Sequence, residues 1–218
     1  MKEKLILLIV LILVCAVSGQ SFASKSSSAP KNAVSAVSEE QPIKLQTESG
    51  QGDQQQSGFF KKMQKNVFSY LQQNVPFIST VYIGMGYRSS SNPDTTGESD
   101  CSNLVNAITR NSLIGTDYEF VPDGISSRDL RDNCHKVSYN ELRPGDLIFF
   151  AKGRKHRIYH VGVITKVLFG AVHFVHASSG SGVVETVSGS ETWHHYWGKK
   201  FHSFGRWKPE VFVKKSNT

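Results

Sequence analysis

The sequence predicts an α+β protein in which N-terminal helices pack on a mostly antiparallel sheet. Apolar residues recur at three- and four-residue steps up to about residue 112, the spacing of amphipathic helices. From Leu147 onward the period changes to the alternation of strands. Helices that precede strands, rather than alternating with them, segregate into α+β architectures. A length of 218 residues suits one domain, or one domain with an unstructured arm. A hydrophobic share of 39% excludes collagen-like, wholly disordered and multi-span membrane chains. Three cysteines are too few for a disulfide scaffold.

The first element is a leader. Lys2 and Lys4 precede an uncharged apolar run from Leu5 to Val17, too short to span a bilayer, and Ser21-Phe22-Ala23 places small residues before a cut. Residues 1–23 therefore read as a secretory signal peptide, and the working protein is expected in a periplasm, a cell envelope or the medium. No transmembrane span is expected after cleavage. Val14 stands where a small residue would precede a lipid-modified cysteine, so no lipid anchor is expected at Cys15. Cleavage after Ala23 leaves Cys101 and Cys134. Residues 24–58 are rich in Ser and Gln and lack aromatic residues, which predicts a disordered arm. The leader holds two lysines and one glutamate, the arm three lysines and four acids, so the net charge of +7 stays on residues 59–218.

In that part Phe60, Met63, Val67 and Leu71 predict a helix from about Phe59 to Asn74. Pro76 is expected to break it and to start a second short helix ending near Gly84. Gly84, Gly86 and the polar run from Ser89 to Gly97 predict a loop. Ser99 and Asp100 are N-cap residues for a helix from about Cys101 to Ser112, with Leu104, Val105 and Ile108 on its apolar face. One more helical turn is expected at Ser126 to Arg131. Strands follow at Leu147–Phe150, Ile158–Val167, Ala171–His176 and Gly182–Val187, the first introduced by the turn Arg143-Pro144-Gly145-Asp146. A short helix near Thr192 to Lys200 and a strand from Phe204 to Val213 end the chain.

The chemistry begins with Cys101 in the first turn of its helix. A thiol attacks as thiolate, a helix N-terminus favours that charge, and unpaired N–H groups there can hold an oxyanion. The nucleophile needs a base. Alternation puts His160 on one face with Gly162 and Ile164; on spacing alone a histidine among apolar neighbours is more often a satisfied core residue. His176 ends the next strand. With a turn centred on Leu168 it faces His160 across the ladder, a pairing that a slip of one residue would remove. His173 falls on the opposite face. These are the parts of a thiol protease site, with His176 orienting His160.

Gly97-Glu98-Ser99-Asp100-Cys101-Ser102, Leu142-Arg143-Pro144-Gly145-Asp146-Leu147-Ile148-Phe149-Phe150, His160-Val161-Gly162-Val163 and Phe174-Val175-His176-Ala177 occur in this order. Together they resemble the NlpC-type family of papain-like bacterial cell-wall cysteine peptidases, over about residues 66 to 213. The resemblance implies a papain-like fold with the nucleophile at a helix N-terminus, a peptidase domain over 59–218, and a Cys101–His160–His176 triad. It implies hydrolysis of peptide stems in peptidoglycan, commonly at the D-γ-glutamyl to diamino-acid bond, without metal or organic cofactor. Tyr87 resembles the active-site tyrosine of that family, and Tyr87, Asp100 and Ser102 are candidate substrate or oxyanion contacts. Two departures border the expected groove: Asn103 stands where Gly is usual, and Ser89-Ser90-Ser91 replaces an aromatic-Gly-Gly element.

Several other possibilities stay open. Cys101 and Cys134 could form a disulfide, which would consume the nucleophile. Cys134-His135 with His194-His195 fits no closed zinc pattern. Lys152, Arg154, Lys155 and Arg157, with Lys199, Lys200, Lys214 and Lys215, are solvated loop charges or a dock for an anionic envelope polymer. An exported chain without a recognition motif is not expected to bind nucleic acid. Trp193, Trp197 and Trp207 are expected to pack the flank of a monomer. An amidase cutting between glycan and peptide, or a wall-binding module without turnover, are the alternative functions.

Overall fold

The computed structural model of the chain describes residues 51–122, 126–153 and 156–216; the leader and residues 24–50 of the arm lie outside the described residues. Helix α1 runs from Gln51 to Tyr82 without interruption. It differs from expectation at both ends. Residues 51–58, expected in the arm, are helical, because Gln has good helix propensity and adding turns to an anchored helix is easier than starting one. Pro76 sits inside the helix and does not break it. Its missing hydrogen bond costs about 3 kcal/mol, but Val67, Leu71 and Val75 before it and Tyr82 after it are all buried. At about 1.5–3 kcal/mol for each large apolar side chain, their burial outweighs the break.

The expected loop holds short elements. Strand β1 (Gly86–Tyr87) pairs in parallel with β2 (Glu98–Ser99), and a single turn, α2 (Pro93–Thr96), capped by Asn92, lies between them. Helix α3 (Cys101–Asn111) matches its expected span and buries Leu104, Val105, Ala107 and Ile108. Helix α4 (Ser127–Asp132) carries a reciprocal cap between Ser126 and Asp129.

Two short strands were not foreseen: β3 (Tyr118–Phe120) and β4 (Cys134–Val137). The main sheet then adds β5 (Leu147–Lys152), β6 (Arg157–Leu168), β7 (Ala171–Ser178) and β8 (Gly182–Val187). The short helix expected near Thr192 to Lys200 is present, as a π-helix, Trp193–Trp197, continued by a 3-10 turn, Gly198–Lys200. The single last strand is two. Strand β9 (Phe201–Trp207) enters the main sheet, while β10 (Phe212–Lys214) pairs with β3, with Pro209 turning the chain between them. The six-stranded order is β4-β9-β5-β6-β7-β8, antiparallel throughout.

The sheet is covered on both faces. Leu147, Phe149, Val161, Val163 and Val175 face α1 and α3, while Ile148, Phe150, Ile164, Val172 and Phe174 pack against Trp197 on the other side. Trp207 belongs to the first core, and Trp193 lies beside the second. The tryptophans thus pack the domain, as their positions predict. Arg206 on β9 holds the buried Asp146 with two 2.8 Å bonds, which fixes the turn that feeds β5.

Candidate active site

Helix α3 starts where Asp100 caps it. Oδ1 accepts from the Ser102 N–H, the Asn103 N–H and the Ser102 hydroxyl at 2.9–3.0 Å; Oδ2 accepts from the Ser90 N–H at 2.7 Å and from Asn103 Nδ2 at 2.9 Å. Asp100 and Ser102, candidates for substrate contact, are thereby committed to each other. Asn103 supplies two bonds of the clamp, one from its backbone and one from its side chain, and Ser90 supplies one. Ser90 has φ 57, the left-handed region that glycine adopts without strain. A side chain there costs about 1–2 kcal/mol, and its N–H bond to the buried carboxylate offsets that cost.

Cys101 stands one residue inside this cap, half-buried and packed against the first core. Both Cys101 and Cys134 are free thiols. Cys134 is buried against Gly205, where a Cβ would come within 2.8 Å of the cysteine Cβ. The N–H groups of Val161, Ser102 and Cys101 itself favour the Cys101 thiolate, but burial is the larger effect and Asp100 adds to it, so the thiol is pushed up to about 11. The expectation that the helix terminus ionises this sulfur is thereby corrected: the cap carboxylate takes two of the terminal N–H groups, and desolvation outweighs those that remain.

The two histidines meet through a break in register. At the β6–β7 hairpin Leu168 lies opposite Ala171 and Val167 opposite Val172, with Phe169 and Gly170 at positive φ in the turn. Continued unbroken, that register would put His160 and His176 on opposite faces. One extra residue on β6, at Thr165, shifts the pairing so that Ile164 faces Phe174 and Val163 faces Val175. His160 and His176 then share a face, displaced by two positions rather than directly opposite as the sequence predicts. The ladder stops at Val163–Val175, so β6 upstream pairs only with β5. Along this stretch the Cys101 sulfur rests against the Val161 N–H, and the two imidazoles meet each other.

His160 Nε2 lies 2.9 Å from His176 Nδ1, and His176 Nε2 lies 2.9 Å from the Thr186 hydroxyl. One tautomer assignment satisfies both bonds and leaves His160 a lone pair at Nδ1: each histidine carries its proton on Nε2, and Thr186 accepts. Trp197 stacks on His160 at 4.5 Å between ring centroids and meets His176 edge-on at 4.7 Å. Gly162 permits the approach, since a Cβ there would lie 2.9 Å from Phe174 Cδ2 and 3.2 Å from His176 Cβ. Burial holds both imidazoles neutral: His160 falls well below the usual histidine range, helped by His176 and Lys200, and His176 falls to about 4.

Among the described residues no hydrogen bond joins Cys101 Sγ to His160. The structure brings the two histidines together and puts the sulfur against the backbone of the residue after His160. Tyr87 on β1 is partly exposed, and burial, Cys101 and Asp100 together raise its phenol. His173 faces away, near Glu185 at 3.6 Å. Arg154 and Lys155 lie outside the described residues. Thr186 and Tyr159 were missed by sequence reasoning, while Trp197 and Lys200 were singled out only as a packing residue and as part of a basic cluster. The available signal for Thr186 was a hydroxyl inside the apolar strand Val183 to Val187, which becomes meaningful once Phe174 is known to face it.

The profile of the NlpC/P60 family matches residues 84–206. Among solved structures, an NLP/P60-family protein of Staphylococcus aureus, described as similar to a lipoprotein, is 23% identical with a TM-score of 0.47, over 62% of this chain and 41% of that one. NlpC2 of Trichomonas vaginalis is 18% identical with a TM-score of 0.46, over 61% of this chain and 44% of its own. NlpC1 of the same organism is 18% identical with a TM-score of 0.46, over 66% and 45%. The chain spans less than half the length of these structures. No curated protein matches it.

Proposed function

The chain belongs to the NlpC/P60 family, whose members are generally cell-wall cysteine peptidases, and from that membership we propose an exported endopeptidase that hydrolyses amide bonds in peptidoglycan stem peptides. Its bond is the one between a D-γ-glutamyl residue and a diamino acid. The observation that carries this is the 2.9 Å contact between His160 Nε2 and His176 Nδ1, which leaves Nδ1 of His160 as the free acceptor of a residue whose chain neighbour, Val161, holds the Cys101 sulfur on its N–H.

The thiol and the imidazole both rest neutral, so the proton moves as the bond forms. His160 Nδ1 takes the Cys101 proton while the sulfur attacks the amide carbonyl. The Cys101 N–H and the Tyr87 hydroxyl donate to the developing oxyanion. His160 returns the proton to the departing amine, and a water activated by the same imidazole hydrolyses the thioester. His176 holds the His160 ring and Thr186 holds His176. Trp197 keeps water from that pair.

Purified muropeptides treated with the mature domain should yield a new amine on the diamino acid, identified by mass spectrometry. Cys101→Ala should abolish the product and keep the fold; full activity in that variant would refute the assignment. A new amine on the first stem residue would instead identify an amidase. Pelleting with sacculi without any product would identify a binding module. Export is tested by the N-terminus of the protein recovered outside the cytoplasm, expected after Ala23.

A further inference from the structure

Lys152 ends β5, and Tyr159 is the extra residue of a bulge on the facing strand, where Phe150 pairs with His160 but Ala151 with Ile158. Such a bulge re-aims its side chain. Two ammonium groups converge on the Tyr159 ring, Lys152 Nζ at 4.8 Å from the centroid and Lys200 Nζ at 6.0 Å. Lys200 Nζ also lies 3.1 Å from the centroid of Tyr196. The Tyr159 hydroxyl is buried beside the Tyr196 phenol without a hydrogen bond of good geometry. Neither ammonium has a carboxylate partner among the described residues. Lys200 is only half exposed, and aromatic faces compensate a desolvated cation in part.

The cluster borders the reacting groups. Tyr159 lies within electrostatic reach of Cys101, and Lys200 within reach of His160. We propose that Lys152, Lys200, Tyr159 and Tyr196 form a subsite for a carboxylate of the substrate, close to the amide that Cys101 attacks. A carboxylate supplies the missing counter-charge to both ammonium groups and acceptors for the two phenols. Because the cluster reaches the thiol and its base, the bound anion belongs to the scissile peptide rather than to a separate polymer. The assignment rests on the peptidase reading and adds to it a preference for stems whose carboxylate near the cut is free over stems in which it is a carboxamide.

Two synthetic stem peptides differing only in that group decide the matter. Calorimetry on the Cys101→Ala protein reads binding without turnover, and kcat/KM on the unmodified protein reads cleavage. The free carboxylate should be preferred by about tenfold or more in both, the size of a charge-assisted hydrogen bond. Lys152→Met with Lys200→Met should bring the ratio within about twofold of one, and Lys200→Arg should retain the preference. Equal binding of the two peptides overturns the subsite, whether or not the double variant folds; so does an undiminished preference in the folded double variant. If neither peptide is cleaved yet the carboxylate form still binds more tightly through the lysines, the peptidase reading fails and the subsite stands.

Discussion

At the scale of single residues, protonation decides how the site operates. Burial pushes the Cys101 thiol up to about 11 and holds the His160 imidazole well below the usual histidine range, so both favour their neutral forms in the resting site. The alkylation rate of Cys101 by iodoacetamide should therefore be low at pH 7 and climb steadily through pH 10; a plateau reached by pH 7 would contradict the neutral thiol. Thr186 carries a second expectation. Thr186→Val leaves His176 Nε2 without its partner, at a cost of about 1–3 kcal/mol, and should lower kcat roughly tenfold with KM little changed. Thr186→Ser should restore kcat, and the histidine ¹⁵N shifts should show the tautomer lost in the first variant and recovered in the second. Cys101, His160 and His176, the proposed nucleophile and imidazoles, were legible in the sequence as candidates. Thr186 was not, since a threonine acquires meaning from the register of two strands.

At the scale of elements, the bulge at Thr165 and the missing side chain at Gly162 bring the histidines together. Deleting Thr165 should join Lys166–His173 directly to Ile164–Phe174 and so keep His160 and His176 on one face, with hydrolysis largely retained in a folded protein; loss of the histidine pairing would show that the bulge does more than set register. Gly162→Ala should be costly, because the methyl meets Phe174 and the Val175 carbonyl at 2.9–3.0 Å. Overpacking of this kind costs about 1–3 kcal/mol, and hydrolysis should fall more than the drop in melting temperature accounts for. A variant with unchanged activity would show that β7 yields freely. The sequence predicted strands β5 to β8 to within about two residues because each is a run of apolar and β-branched residues bounded by turn residues. It missed β3, β4 and the division of the last strand, where three or four residues show no period and only partners distant in the chain define them.

At the scale of the whole molecule, two neutral imidazoles inside a sheet couple folding to pH. The folded His176 titrates near 4 and an unfolded one near 6.5, so between those values the unfolded chain binds a proton that the folded chain does not. Stability should be full above about pH 6.5 and fall as pH drops through 4, by about 3 kcal/mol from His176, with His160 acting in the same direction. Urea unfolding at pH 7, 5.5 and 4.5 tests this, and a midpoint independent of pH would refute it. His176→Asn should flatten the profile over that window.

Local periodicity and the cap before Cys101 were enough for the sequence to determine the order of helices before strands, the start of α3 and the alternating positions of His160 and His176. Tertiary structure decided the continuous α1 across Pro76, the two-residue offset of the histidines, the neutral thiol and the aromatic and cationic flank beside it. The division has a physical cause. Helical and strand periods are written in neighbouring residues, whereas register, burial and electrostatic environment depend on which distant segments arrive at the same place.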